Sequence, residues 1–130
     1  MSVHQLFYIS RSRATSDDIE QILRRARERN AELGVTGALL FSGEHFAQLL
    51  EGDPVAVARI MSAIERDPRH EAATVLLLQQ ADERLCPDWR MAFVEAPGAG
   101  DLIEQLLVSP QVSPERARRL LALMLEAAAV

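Results

Sequence analysis

The sequence predicts an α+β domain with its elements in the order βαββαββ, two helices on one sheet face, and C-terminal cap helices. Three observations predict it. Two stretches carry apolar residues at helical spacing behind good N-caps. Short runs of β-formers lie before, between and after them. One hairpin signal, Ser42-Gly43-Glu44, joins two of those runs.

Val3 to Ser10 reads as the first strand. Thr15-Ser16-Asp17-Asp18 offers a cap and first-turn acids, and Ile19, Ile22, Leu23, Ala26, Asn30 and Leu33 share one helical face before Gly34 stops the helix. Val35 to Phe41 and His45 to Glu51 are the hairpin strands. Asp53-Pro54 opens a second helix with stripe Val57, Ile60, Met61 and Ile64, and Asp67-Pro68 ends it. Thr74 to Leu78 and Trp89 to Val94 read as strands four and five. Pro97-Gly98-Ala99-Gly100 is a breaker cluster. A short helical segment, Leu102 to Leu107, follows it, then a terminal helix that opens on Ser113-Pro114-Glu115 and carries Leu120, Leu121 and Met124.

Of the 130 residues, 48% are apolar, enough for a real core. Basic residues number 14 and acidic 19, for a net charge of −5, which argues against nucleic acid as an obligatory partner. A single cysteine, Cys86, allows no internal disulfide and suits a reducing compartment. No signal peptide is legible and no window is long and apolar enough to span a bilayer, so the expectation is a cytoplasmic protein away from membranes.

Three polar residues sit in apolar places. Asn30 lies on the first helix's apolar stripe, Gln48 inside Phe46-Ala47-Gln48-Leu49-Leu50, and Tyr8 in the first strand on the face of Leu6 and Ser10. A buried amide without a partner costs roughly 1–3 kcal/mol. Each has a bland explanation: a packed phenol, an exposed edge, a helix-end residue. Together they match the polar rim of a planar heterocycle. Arg24, Arg25, Arg27 and Arg29 read first as a solvated face balanced by Glu20, Glu28 and Glu32, and Glu51 and Asp53 as strand-end and cap residues. The histidines and Cys86 lack metal-ligand spacing, and no P-loop, GxGxxG or nucleophile elbow is present.

Five blocks carry a resemblance. They are Leu6-Phe7-Tyr8-Ile9-Ser10, the run from Asn30 to Leu40 (NAELGVTGALL), Phe46-Ala47-Gln48-Leu49-Leu50-Glu51-Gly52, Asp67-Pro68-Arg69-His70, and Pro87-Asp88-Trp89-Arg90-Met91. In this order and spacing the sequence resembles the BLUF family, sensors of blue light using FAD, over about residues 3–95. The resemblance implies a ferredoxin-like fold and a noncovalently held flavin, FAD in the first place, with FMN or riboflavin as alternatives. It implies that Tyr8 gives an electron and a proton to the excited flavin, that Gln48 sits between that tyrosine and the ring, and that Asn30 binds the pyrimidine end. Asp67, Arg69 and His70 fall where the family contacts or borders the flavin. Arg29 stands where relatives often have His or Asn. Trp89 and Met91 match the pair whose relation to the glutamine carries the signal, and Ala47 is smaller than its usual counterpart.

The implied organisation is a photosensor domain over 1–96 and a helical cap or output segment over 97–130, with no separate output domain and no enzymatic activity. The implied partners are flavin, further copies of the chain and an unnamed downstream protein. Two other classes stay open: a ferredoxin-like module binding a colourless small molecule, and a small hydrolase resembling acylphosphatase, for which no phosphate-cradling loop is legible.

Overall fold

The structure, a computed structural model, describes residues 2–109 and 114–128. Strand β1 (Val3–Ser12) leads to helix α1 (Ser16–Leu33), the hairpin β2 (Thr36–Phe41) and β3 (His45–Gly52), helix α2 (Pro54–Arg66), strand β4 (His70–Ala81) and strand β5 (Ala92–Glu95). A 3-10 turn (Pro97–Ala99) then enters α3 (Gly100–Val108), and α4 is Pro114–Ala128. Ser113, expected as the cap of α4, lies outside the described residues.

Local chemistry sets the helix ends. Thr15 and Asp18 form a reciprocal capping box: Asp18 N–H donates to Thr15 Oγ1 and Thr15 N–H to Asp18 Oδ2. Gly34 closes α1 at φ 67°, a left-handed conformation that a residue without Cβ adopts freely. The Asp53 carboxylate caps α2 by accepting from Val55 and Ala56 N–H, with Pro54 in the first turn.

The sheet order is β4-β1-β3-β2-β5. All pairings are antiparallel except β2 with β5, which is parallel. Strands β2 and β3 approach closely at Gly37, where a Cβ would meet Leu49 O at 1.9 Å, so no larger residue fits. Strand β4 is longer than the predicted Thr74–Leu78 and follows β1 through two register shifts, with Ala72 at φ 57°.

The fifth strand corrects the sequence reading. It begins at Ala92 instead of Trp89, because Pro87 and the turn around it leave the chain irregular until it reaches β2. Gly37 N–H already donates to Trp89 O at 2.9 Å, but the ladder proper starts at Ala38 beside Ala92. Trp89 and Met91 therefore lie on the β4–β5 connection and not on a strand.

Strand alternation divides the interior in two. Leu6, Tyr8, Leu39 and Leu50 pack with α1, α2 and Met91 on one face. Phe7, Ile9, Ala38, Leu40 and Leu49 pack with α3 and α4 on the other, where Ile103, Leu120 and Met124 are fully buried. The breaker cluster thus turns the chain directly onto the second face.

Candidate functional site

A cleft of about 910 Å³ opens between α1 and α2 above the first sheet face, within the size range of cofactor sites. Ile22, Ala26 and Arg29 line it from α1, Ala63, Ile64 and Arg66 from α2, Asp67, Pro68 and Arg69 from the turn after α2, and His70 from the start of β4. Leu39 and Gln48 line it from the sheet.

Gln48 sits on β3, directly opposite Tyr8 on β1. The Tyr8 hydroxyl donates to Gln48 Oε1, and Gln48 Nε2 donates to Met91 Sδ at 3.4 Å. The amide is thus held at both ends. Tyr8 has no exposed surface, and burial pushes its phenol well above the usual tyrosine range. The neutral phenol is the form that can donate to Gln48.

Asn30, on α1, is also fully buried. Its Nδ2 donates to Arg90 O at 2.6 Å, while its Oδ1 has no partner in the protein. Arg29 Nε is likewise buried without one. Burial lowers the Arg29 pKa from its ordinary value. An orphaned buried donor on a residue that lines an open cleft, Arg29 Nε, is what a polar-edged ligand would satisfy.

Asp67 and Arg69 are locked to each other, Arg69 Nη2 lying 2.7 Å from Asp67 Oδ2. The pairing holds Asp67 below the usual carboxylate range. His70 Nδ1 and Ser10 Oγ are hydrogen-bonded at 2.9 Å, and the ring packs against Tyr8 and Phe46. Burial lowers its pKa to about 4, so the imidazole is neutral near pH 7.

Of the nine site residues read from the sequence, Arg29, Gln48, Asp67, Arg69 and His70 line the cleft, Tyr8 and Met91 join it through their bonds to Gln48, and Asn30 is buried on α1 against Arg90 O. Trp89 does not join them. It packs with the α3/α4 side of the sheet, so Met91 alone of the pair reaches Gln48. Sequence reasoning missed the cleft residues of α2; Arg24, Arg25 and Glu28 are exposed, as the solvated-face reading expects, and they also line the cleft. The signal was present in the i, i+4 rows Gln21–Arg25–Arg29 and Arg24–Glu28. Arg27 lies outside the cleft and donates from Nε to Met91 O at 3.2 Å.

The described residues include no cluster of three or more His, Cys, Asp or Glu suited to a metal, and no described helix is long and apolar enough to cross a membrane.

Comparison with known proteins agrees with this geometry. Residues 3–92 match the family described as BLUF, sensors of blue light using FAD. The blue light- and temperature-regulated antirepressor BluF of Escherichia coli K12 is 47% identical over 66 residues, which is 51% of this chain and 16% of that protein. The photoactivated adenylate cyclase subunit beta of Euglena gracilis is 33% identical over 99 residues, 71% of this chain and 12% of that one. The chain thus spans about a sixth or less of the length of these curated relatives. Among solved structures, the dark state of the BLUF protein BlrB superposes with a TM-score of 0.80 at 34% identity, covering 99% of this chain and 98% of that one. Matched over most of its length and carrying a tyrosine–glutamine pair at the wall of its cleft, the chain belongs to the BLUF family of flavin-binding blue-light sensors.

Proposed function

We propose that Tyr8 and Gln48 are the photoactive pair of this sensor and that the cleft between α1 and α2 holds FAD. The observation that carries the reading is the chain Tyr8 Oη–Gln48–Met91 Sδ, whose middle member lines the cleft. The flavin, when bound, supplies the absorption of blue light and the redox chemistry.

The residues supply the rest. Asn30 Oδ1 and Arg29 Nε offer an acceptor and a donor to the ring's polar rim. Ile22, Leu39 and Ile64 offer apolar contact. Tyr8 is the electron donor, and its phenolic proton faces Gln48 Oε1. Gln48 has donors and an acceptor on one amide, so a changed arrangement exchanges which neighbours it bonds, and Met91 feels the exchange first. His70 walls the site in its neutral form. A phosphorylated flavin is favoured over riboflavin by the cleft's charge: Arg24, Arg25, Arg29, Arg66 and Arg69 face only Glu28 and Asp67.

Residues 1–96 are then the sensor and 97–130 the segment that reads it. The output is a conformational signal and not substrate turnover, delivered in the cytoplasm to a partner or a second copy of the chain. The purified protein is expected to be yellow and to show a small reversible red shift under blue light. Gln48→Leu keeps the flavin and loses the shift, because leucine fills similar space but relays no hydrogen bond. A full-sized shift in that variant removes Gln48 from the mechanism. A chain that stays colourless after refolding with excess FAD and desalting ends the reading.

A further inference from the structure

The β4–β5 connection, residues 82–91, is fastened at its far end by two groups outside the cleft. Glu51 lies on β3 with its side chain on the α3/α4 side, and it has no exposed surface. A buried carboxylate is costly unless donors surround it. Its donors are Gln5 Nε2 at 2.8 Å, Leu85 N–H at 2.6 Å and Cys86 N–H at 2.7 Å. Two of the three are backbone of the connection, so the carboxylate is satisfied only while that segment stays docked.

Arg84 completes the fastening. Its Nη1 donates to Thr36 Oγ1 and Glu51 O, and its Nη2 to Gly34 O. Beyond these anchors the chain passes Trp89 on one side of the sheet and delivers Met91 to Gln48 on the other.

We propose that Glu51 and Arg84 are positioning residues for the light response: they select the docked connection in which Met91 bonds Gln48 and Trp89 stays on the α3/α4 side. The inference rests on the flavin-sensor reading for its kinetic consequence, but not for its structural one. Neither residue lines the cleft, so neither contributes to flavin affinity directly. Releasing either lowers the barrier between arrangements of the Gln48–Met91 pair and shortens the life of the lit state.

Trp89 is the chain's single tryptophan, so its emission reports on the connection alone. The test measures iodide quenching of Trp89 in the full chain, with and without FAD, and the rate of return to the dark spectrum. It compares the parent with Glu51→Gln, whose amide turns N–H groups toward donors, and Arg84→Ala. Both variants are expected to raise quenching about threefold and speed dark return by roughly fivefold, in the range that residues coupled to a site show, with flavin affinity changed by less than about twofold. Arg84→Ala with parental quenching and dark return overturns the proposal, as does a variant that loses flavin while Trp89 stays shielded. If Glu51→Gln fails to fold, Arg84→Ala decides alone. If the parent binds no flavin, the sensor reading fails while quenching in the flavin-free chain still tests the fastening.

Discussion

At the scale of single residues, His70 ties the site to stability. Its pKa falls from 6.5 to about 4 because burial penalises the cation. The unfolded chain therefore takes up a proton below pH 6.5 that the folded chain refuses until about pH 4. The neutral imidazole's contribution is complete above pH 6.5 and is lost as pH falls through that window. The full loss is on the order of 3 kcal/mol, and about 2 kcal/mol of it has gone by pH 5. Urea unfolding at pH 7 and pH 5 checks this: His70→Gln should lose less stability than the parent over that interval by about that amount. Equal losses would show that His70 does not titrate as burial dictates. The residue was legible in sequence only through the Asp67-Pro68-Arg69-His70 block. Nothing in spacing says that a residue opening an edge strand is tucked against Tyr8 and Phe46, since that comes from β1 pairing with β4 across some sixty residues.

At the scale of elements, α3 is clasped to the hairpin side of the sheet by Glu104. Its carboxylate takes a fork from Arg11, with Nη2 at 2.7 Å, and lies 2.6 Å from His45 Nε2. These partners hold its pKa at about 2. A lowered carboxylate pKa means a contribution present above the ordinary carboxylate range and lost as pH falls toward 2. Glu104→Gln is accordingly expected to unfold at lower urea than the parent near neutral pH, with the gap closing as pH drops below about 4. A gap independent of pH would assign the effect to packing alone. The sequence disclosed α1 and α2 well, through caps and stripes that need no tertiary information. It disclosed α3 only as a short helical segment and overran β5 by three residues. Trp89-Arg90-Met91 looks like strand by composition, while its actual course is set by Glu51 and Asn30, both distant in sequence, and by Arg84's grip on Gly34.

At the scale of the whole molecule, one sheet separates two interiors. The cleft, Tyr8 and Gln48 belong to one, and α3 and α4 to the other, so an event at Gln48 is a single sheet's thickness from the C-terminal helices. Trp89 already lies on the far side. Illumination is therefore expected to alter hydrogen-exchange protection in residues 101–108 and 114–128. Protection changes confined to the neighbourhood of Gln48, with both helices identical in light and dark, would rule out this route. The two-helix face was readable from periodicity alone. That α3 and α4 occupy the opposite face followed in the sequence only by elimination, because their stripes require burial but do not name the surface that provides it.

The order β4-β1-β3-β2-β5 also bears on how the molecule is born. Strand β1 is interior to the sheet, yet both of its neighbours come later: β3 begins at His45 and β4 at His70. A ribosome adding about 5–20 residues each second exposes Leu6-Phe7-Tyr8-Ile9 for seconds before either partner has been made. This apolar, β-prone stretch without charge or proline is a part of the nascent chain that needs a chaperone or haste. Pairings so distant in sequence also make assembly slower than that of a helical bundle of this size. The tyrosine proposed for the light response thus spends its first moments on a segment exposed to misassembly.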